Sequence, residues 1–130
     1  MAAFEGRDFL LAATFLATQA GDEGSVRSAI SRAYYACFHR ARDYVRTRST
    51  VVRADGSAHV AVRRHIGAVD GSIEWDLLRL HTLRKHADYD IPFPDGDPLA
   101  AAQLAIDLAA RIIAMIDALE GKHALMSHEE

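Results

Sequence analysis

Three side chains that could act together on a phosphodiester follow one another along a predicted helix. Arg32, Tyr35 and His39 stand at i, i+3 and i+7, so a helix would place them on one stripe. An arginine is a permanent cation that binds phosphate oxygens, and a histidine can move a proton near neutral pH. The pattern favours phosphodiester chemistry, with Arg32 neutralising charge and His39 acting as general acid or base. A solvated basic face without a binding role is the simpler interpretation, and it stays open.

The helix that carries these residues is amphipathic, because an apolar stripe runs along its other side. Ser28, Arg42 and Arg46 extend the polar stripe, and we assign Tyr35, Arg42 and Arg46 to the binding of RNA or a nucleotide. The apolar stripe predicts the face that is buried in the monomer, and it comprises Val26, Ile30, Ala33, Tyr34, Cys37, Ala41 and Tyr44.

A second candidate residue, Arg84, lies on the predicted fourth helix among apolar positions such as Leu77. His81 and Asp88 flank it on the same strip. An arginine on an apolar face needs a partner, because burying the charge alone is costly. It either forms an internal pair with Asp88 or binds an anion while facing the second helix. On the latter interpretation Arg84 joins the catalytic set with Arg32 and His39, and Asp88 and Tyr89 belong to the binding site.

The charge of the chain is divided between two segments, although the net charge is only −3. Residues 27–64 contain nine arginines and no lysine against two acids, whereas residues 88–130 contain nine acids against two cations. Arginine suits bidentate phosphate contact and stacking on bases. The basic segment therefore favours a phosphate-bearing partner. The alternative is that the two segments neutralise each other within the fold.

The length and composition of the chain predict one soluble domain. Its 130 residues can bury a sizeable core, and we place the domain at residues 1–123 with a frayed tail at 124–130. The single cysteine cannot form an internal disulfide, which favours a reducing compartment. No signal peptide or transmembrane helix is predicted, so we expect a cytoplasmic protein that does not enter a membrane.

The hydrophobic periodicity predicts helices and no strand. Ser25 and Asp97 are the predicted N-caps of the second and fifth helices, Ser72 opens the fourth, and Gly121 marks the predicted end of the fifth. The expected fold is all-α, an up-and-down bundle of four to five helices. The predicted helices cover residues 8–21, 25–48, 57–69, 72–89 and 98–121, with loops at 49–56 and 91–96.

Other chemistries find little support in the sequence. Neither His81 with His86 nor His59 with His65 has the i, i+4 spacing with which two histidines on one helix bind zinc. A glycine-rich phosphate loop and a nucleophile elbow are both absent. We therefore predict neither a metal nor another cofactor.

Two motifs carry a resemblance to a known family. Residues 29–39 (AISRAYYACFH) resemble the SRAYYAxFH motif of small prokaryotic HEPN-domain proteins, and residues 83–90 (LRKHADYD) resemble their later LRxxADY motif. Residues 59–62 (HVAV) fit the HxxV pattern at the start of the third helix. The resemblance extends over almost the whole chain, with the motifs in the family's order.

The resemblance implies a helical bundle that forms a homodimer. Many such proteins are metal-independent endoribonucleases of toxin–antitoxin, phage-defence and RNA-processing systems, and others partner a minimal nucleotidyltransferase. The active ones carry arginine, four to six residues, then histidine, usually on a late helix. Here that spacing occurs at Arg32 and His39 on the second helix, whereas the first histidine after Arg84 is His86.

Two functions therefore remain as hypotheses. One is a metal-independent endoribonuclease of a toxin–antitoxin or phage-defence system, in which His39 acts as general acid or base. Arg32 and Arg84 would neutralise the phosphorane, and Tyr35 or Tyr89 would orient the phosphate. The other is a non-catalytic module that binds a nucleotide phosphate in the same pocket and partners a nucleotidyltransferase.

Overall fold

Five helices make up most of the residues that the structure describes. The computed structural model describes residues 3–18, 22–48, 58–94 and 96–129, and these ranges contain no strand. The all-α prediction is confirmed, whereas the predicted loop at 49–56 lies outside the described residues. The helices are α1 (Asp8–Thr18), α2 (Glu23–Arg46), α3 (Ala58–Gly67), α4 (Gly71–Tyr89) and α5 (Pro98–Glu129).

Aspartates rather than serines cap two of the helices. The Asp22 carboxylate accepts a hydrogen bond from the backbone N–H of Ser25 at 2.7 Å and caps α2. Asp70 does the same for α4, accepting from the N–H of Ser72 at 2.9 Å. The predicted N-cap Ser25 was therefore wrong, and α4 begins one residue before Ser72; each serine donates to the capping aspartate. At α5 the prediction is confirmed, since Asp97 accepts from the N–H of Leu99 at 3.0 Å.

Helix α5 is longer than its sequence predicts. It continues past the predicted end near Gly121 to Glu129, so the backbone is helical through most of the expected frayed tail. Among the described glycines only Gly96 has a positive φ, of 90°. Gly121 therefore keeps a right-handed conformation and does not end the helix, and the following Ala124, Leu125 and Met126 are good helix formers.

The core lies where α2 packs against α5. Every residue of the predicted apolar stripe of α2 is buried. Small side chains on α5 let the two helices approach closely, and the Cys37 thiol donates a hydrogen bond to the Ala109 carbonyl at 3.5 Å. The buried α5 residues are Ala102, Ala105, Leu108, Ala109, Ile112, Ile113 and Ile116.

The length and apolar composition of α5 also match those of a membrane-spanning helix. By length and composition only, residues 98–122 are long and apolar enough to cross a bilayer, and an 18-residue window within them has a mean hydropathy of 1.8. A core helix satisfies the same test, and one face of α5 forms the core of this bundle. Core packing is thus sufficient to explain the composition.

Two arginines of the basic segment are used inside the fold. Arg40 is 8% exposed and pairs with Asp117 at 2.8 Å and with Glu120, both on α5. Arg27 donates to the carbonyl oxygens of Ala87 at 3.0 Å and Asp90 at 2.7 Å, at the carboxyl end of α4. A cation is favourable there because the helix dipole is negative at that end. Neutralisation within the fold therefore holds for part of the segment.

Candidate nucleic-acid-binding site

The polar stripe of α2 meets an aromatic side chain of α1. The Phe9 ring stacks on the His39 ring with centroids 5.4 Å apart and an interplanar angle of 13°. Its centroid lies 6.4 Å from that of Tyr35, and the Arg32 guanidinium carbon lies 5.6 Å from it. The structure thus brings Arg32, Tyr35 and His39 together around Phe9. The sequence alone did not connect Phe9 with this stripe.

A glycine allows the segment before α1 to approach α2 so closely. A Cβ built on Gly6 would lie 2.7 Å from the Cβ of His39 and 3.3 Å from the backbone nitrogen of Arg40. Both contacts are with atoms that cannot swing aside, so a side chain at this position would push the two segments apart. Gly6 is therefore needed for the close contact beside His39.

His39 is held by a cation on its own helix. Its Nδ1 lies 2.8 Å from Nη2 of Arg42. A guanidinium only donates, so Nδ1 accepts and the neutral ring carries its proton on Nε2. Burial, together with the charge of Arg42, lowers the pKa of His39, although Asp43 opposes the shift. The ring is accordingly neutral near neutral pH, with its single proton on Nε2.

A cleft opens beside this ring. Its volume is about 460 Å³, and it combines aromatic, cationic and acidic side chains. A concave site of this size with a few polar groups can hold a small ligand or one nucleotide. Its lining includes Phe4, Glu5, Phe9, His39, Arg42 and Asp43.

Arg84 connects α4 with the stripe and also has an internal partner. Its Nη2 donates to the Tyr35 hydroxyl at 3.0 Å, and its Nε lies 3.0 Å from the Asp88 carboxylate. The guanidinium carbon lies 5.4 Å from the Tyr35 ring centroid and 5.9 Å from that of Tyr89. Arg84 is therefore paired with Asp88 and also faces α2, whereas its binding of an anion stays a prediction. Tyr89 itself is 71% exposed.

The other two assigned binding residues differ in their surroundings. Arg46 is exposed at the carboxyl end of α2. Arg42 is half-buried, since its guanidinium carbon lies 5.6 Å from the Phe38 ring centroid while Nη2 contacts His39. Arg46 can therefore meet a phosphate directly, whereas Arg42 also supports the position of the His39 ring.

A stack of aromatic and imidazole rings joins α2, α3 and α4, and the sequence did not predict it. The His59 ring stacks on Phe38 at 4.3 Å and on His81 at 5.7 Å between centroids. The Tyr34 hydroxyl lies 2.5 Å from Nδ1 of His59. Burial raises the pKa of Tyr34, so the hydroxyl stays protonated and donates to the ring nitrogen. Only the family motif at residues 59–62 pointed to this position.

This stack makes the fold sensitive to acid. Burial, with His59, Arg84, Lys85 and Arg63 nearby, lowers the pKa of His81 from 6.5 to about 4. His81 therefore takes up its proton at a lower pH in the folded state than in the unfolded chain. The stability from neutral His81 is complete above pH 6.5 and is lost as the pH falls toward 4.

We expect the free energy of unfolding to fall by on the order of 2 kcal/mol over that interval, allowing for solvent screening. Urea titrations at a series of pH values measure it. His81→Gln should flatten the profile, whereas His65→Gln, on the exposed side of α3, is the matched control and should not. Equal slopes for wild type and His81→Gln would contradict the assignment to His81.

Metal ligands do not cluster in the part of the chain that the structure describes. No group of three or more His, Cys, Asp or Glu side chains there is placed to hold a metal ion.

Comparison of the chain with protein-family models, with curated proteins and with solved structures finds no match. The motifs and the geometry of this site are therefore what indicate a function for the chain.

Proposed function

We propose that this chain is a HEPN-type protein that binds RNA or a nucleotide at the α1–α2 cleft. We further propose that it acts as a metal-independent endoribonuclease of a toxin–antitoxin or phage-defence system. The observation that carries the proposal is the arrangement of His39, whose Nδ1 accepts from Arg42 while its ring lines the cleft. A neutral imidazole with a proton on Nε2 stands beside a permanent cation at a site open to a ligand.

The proposed reaction uses the 2′-hydroxyl of the RNA as nucleophile. Its oxygen attacks the adjacent phosphorus, the bond to the 5′-oxygen breaks, and a 2′,3′-cyclic phosphate and a 5′-hydroxyl are formed. Protonated His39 gives the Nε2 proton to the leaving 5′-oxygen and returns to the neutral ring that accepts from Arg42, while the proton of the 2′-hydroxyl passes to water. Arg32 and Arg42 neutralise the phosphorane, while Arg84 positions the Tyr35 hydroxyl toward the phosphate.

The second candidate is a non-catalytic nucleotide-binding module that partners a minimal nucleotidyltransferase. Two observations favour it. Nδ1 of His39 is already occupied by Arg42, so that nitrogen offers no lone pair to act as a base. The charge of Arg84 is already met by Asp88 at 3.0 Å, which reduces its effect on a developing phosphorane.

Titration of the full chain with single-stranded RNA tests the binding step. We expect affinity to fall steeply with salt, because each phosphate contact releases counterions. Arg46→Glu should weaken binding and lower the salt slope, since Arg46 is exposed at the end of the stripe. Arg79→Glu, which makes the same charge change in the groove between α4 and α5, is the control. Salt-independent binding, or none, would overturn the proposal.

The resemblance also leads us to propose a two-fold homodimer whose interface includes α2 and α4. Two copies of Arg32 and His39 would then line one cleft, as an isologous interface requires. We expect light scattering at tens of micromolar chain to give twice the monomer mass. A monomer at that concentration would contradict this prediction and leave the binding test unaffected.

A further inference from the structure

We propose that the cleft beside His39 is a base-binding subsite selective for guanine. In it Phe4 supplies the stacking surface and Asp43 accepts hydrogen bonds from the base edge. The inference depends on the proposed function, since it names the nucleotide that the same site takes. The cleft has a volume of about 460 Å³, which is sufficient for a base and its sugar.

Phe4 is placed as a stacking surface. It is 68% exposed, so most of its ring is open to solvent at the edge of the cleft. Its edge-to-face contact with Phe9, at 4.9 Å between centroids and 84° between planes, fixes it next to the His39 stack. Unpaired RNA bases stack on aromatic side chains of this kind.

Asp43 supplies an acceptor to which no side chain of the described residues is seen to bind. It lies one turn after His39 on α2 and lines the same cleft. Within the described ranges it forms no ion pair, whereas Glu5, the other acid of the cleft, is engaged by Nε of Arg7 at 3.3 Å. An ionised carboxylate only accepts hydrogen bonds, so Asp43 selects for a base edge that donates.

Among the four RNA bases, guanine matches one carboxylate best. Its Watson–Crick edge offers two adjacent donors, N1–H and the N2 amino group, which pair with the two carboxylate oxygens. Adenine and cytosine each place an acceptor nitrogen beside their one amino group. Uracil places a carbonyl on each side of its N3–H, and these oxygens are repelled by the carboxylate.

Two arginines lie in or beside the cleft, where they can contact the phosphate of the same nucleotide. Arg42 lines the cleft, and the exposed Arg46 follows one turn later on α2. The cleft and the helix end beside it therefore provide a stacking surface, an acidic acceptor and cations, the groups that contact the base, base edge and phosphate of a nucleotide.

Titration calorimetry with GMP, AMP, CMP and UMP on the full chain tests the inference. We expect GMP to bind at least about tenfold more tightly than the other three, as a bidentate charge-assisted contact implies. Asp43→Asn should remove this preference and leave AMP affinity near wild type. Phe4→Ala should weaken all four nucleotides. The matched controls are Asp107→Asn and Phe15→Ala, both on exposed positions outside the cleft.

The possible failures are distinguishable. Equal affinity for the four nucleotides, with loss of binding in Arg46→Glu, would overturn the guanine subsite and keep the proposed function. A GMP preference that survives Asp43→Asn would overturn the role of Asp43. No binding of any nucleotide, together with no salt-dependent RNA binding, would overturn both proposals.

Discussion

We expect His39→Gln to lower RNA cleavage by about 100- to 10,000-fold, the usual contribution of a general acid or base. Glutamine is close in size to histidine, so it preserves packing against Phe9, and its carbonyl oxygen can accept from Arg42 in place of Nδ1. It cannot deliver a proton to the leaving oxygen. Single-turnover cleavage of end-labelled RNA in EDTA, wild type beside the variant, measures the loss.

The matched control for this loss is His65→Gln, on the exposed side of α3. It should cleave at the wild-type rate, and both variants should keep thermal midpoints near that of wild type. If His39→Gln cleaves as fast as wild type, the catalytic role is wrong. If neither wild type nor His39→Gln cleaves RNA but both bind it, the non-catalytic nucleotide-binding module is the correct function.

We expect Arg84→Ala to lower the free energy of unfolding by about 2–3 kcal/mol, whereas Arg32→Ala should cost within about 1 kcal/mol. The Arg84 side chain is 16% exposed, and its removal leaves the Tyr35 hydroxyl without its donor and the Asp88 carboxylate without its ion-pair partner. Arg32 is exposed and loses mainly its contact with Phe9. Urea denaturation of the three proteins measures the difference.

A double-mutant cycle measures the interaction free energy between Arg84 and Asp88 separately from their other contacts. Asp88→Ala alone leaves the Arg84 charge half-buried, so we expect the double variant to be more stable than the sum of the single losses predicts. Ser31, whose hydroxyl lies 3.5 Å from Asp88, provides a control through Ser31→Ala, which should change little. Strict additivity would show that Arg84 and Asp88 are not coupled, and equal costs for Arg84→Ala and Arg32→Ala would show that Arg84 does not link α2 with α4.

The apolar face of α2 could be predicted because helical spacing decides which residues share a side. Val26 to Tyr44 recur at that spacing, and all of the predicted members are buried. The cap at Asp97 was predictable for the same local reason. The sequence could not show that Phe9 would cover the opposite stripe, since this depends on how α1 crosses α2. That crossing depends in turn on the room left by Gly6.

The ring stack escaped prediction for a related reason. Helical spacing relates His59 and His81 only to residues of their own helices. Within each helix, the histidine spacing does not fit a zinc site. Their contact joins α3 with α4 and includes Phe38 of α2, so it arises only when three helices pack together. Arg84 was an intermediate case, because its apolar surroundings predicted a partner but could not decide between Asp88 and Tyr35.

The lone thiol of the chain gives a built-in reporter of opening motions. Cys37 is fully buried, and burial raises its pKa, so the reactive thiolate is suppressed while α2 and α5 stay packed. A thiol reagent can therefore reach it only when these two helices separate. The rate of labelling reports how often the core opens in the absence of denaturant. The substitutions considered above can be ranked on this scale without introducing a probe.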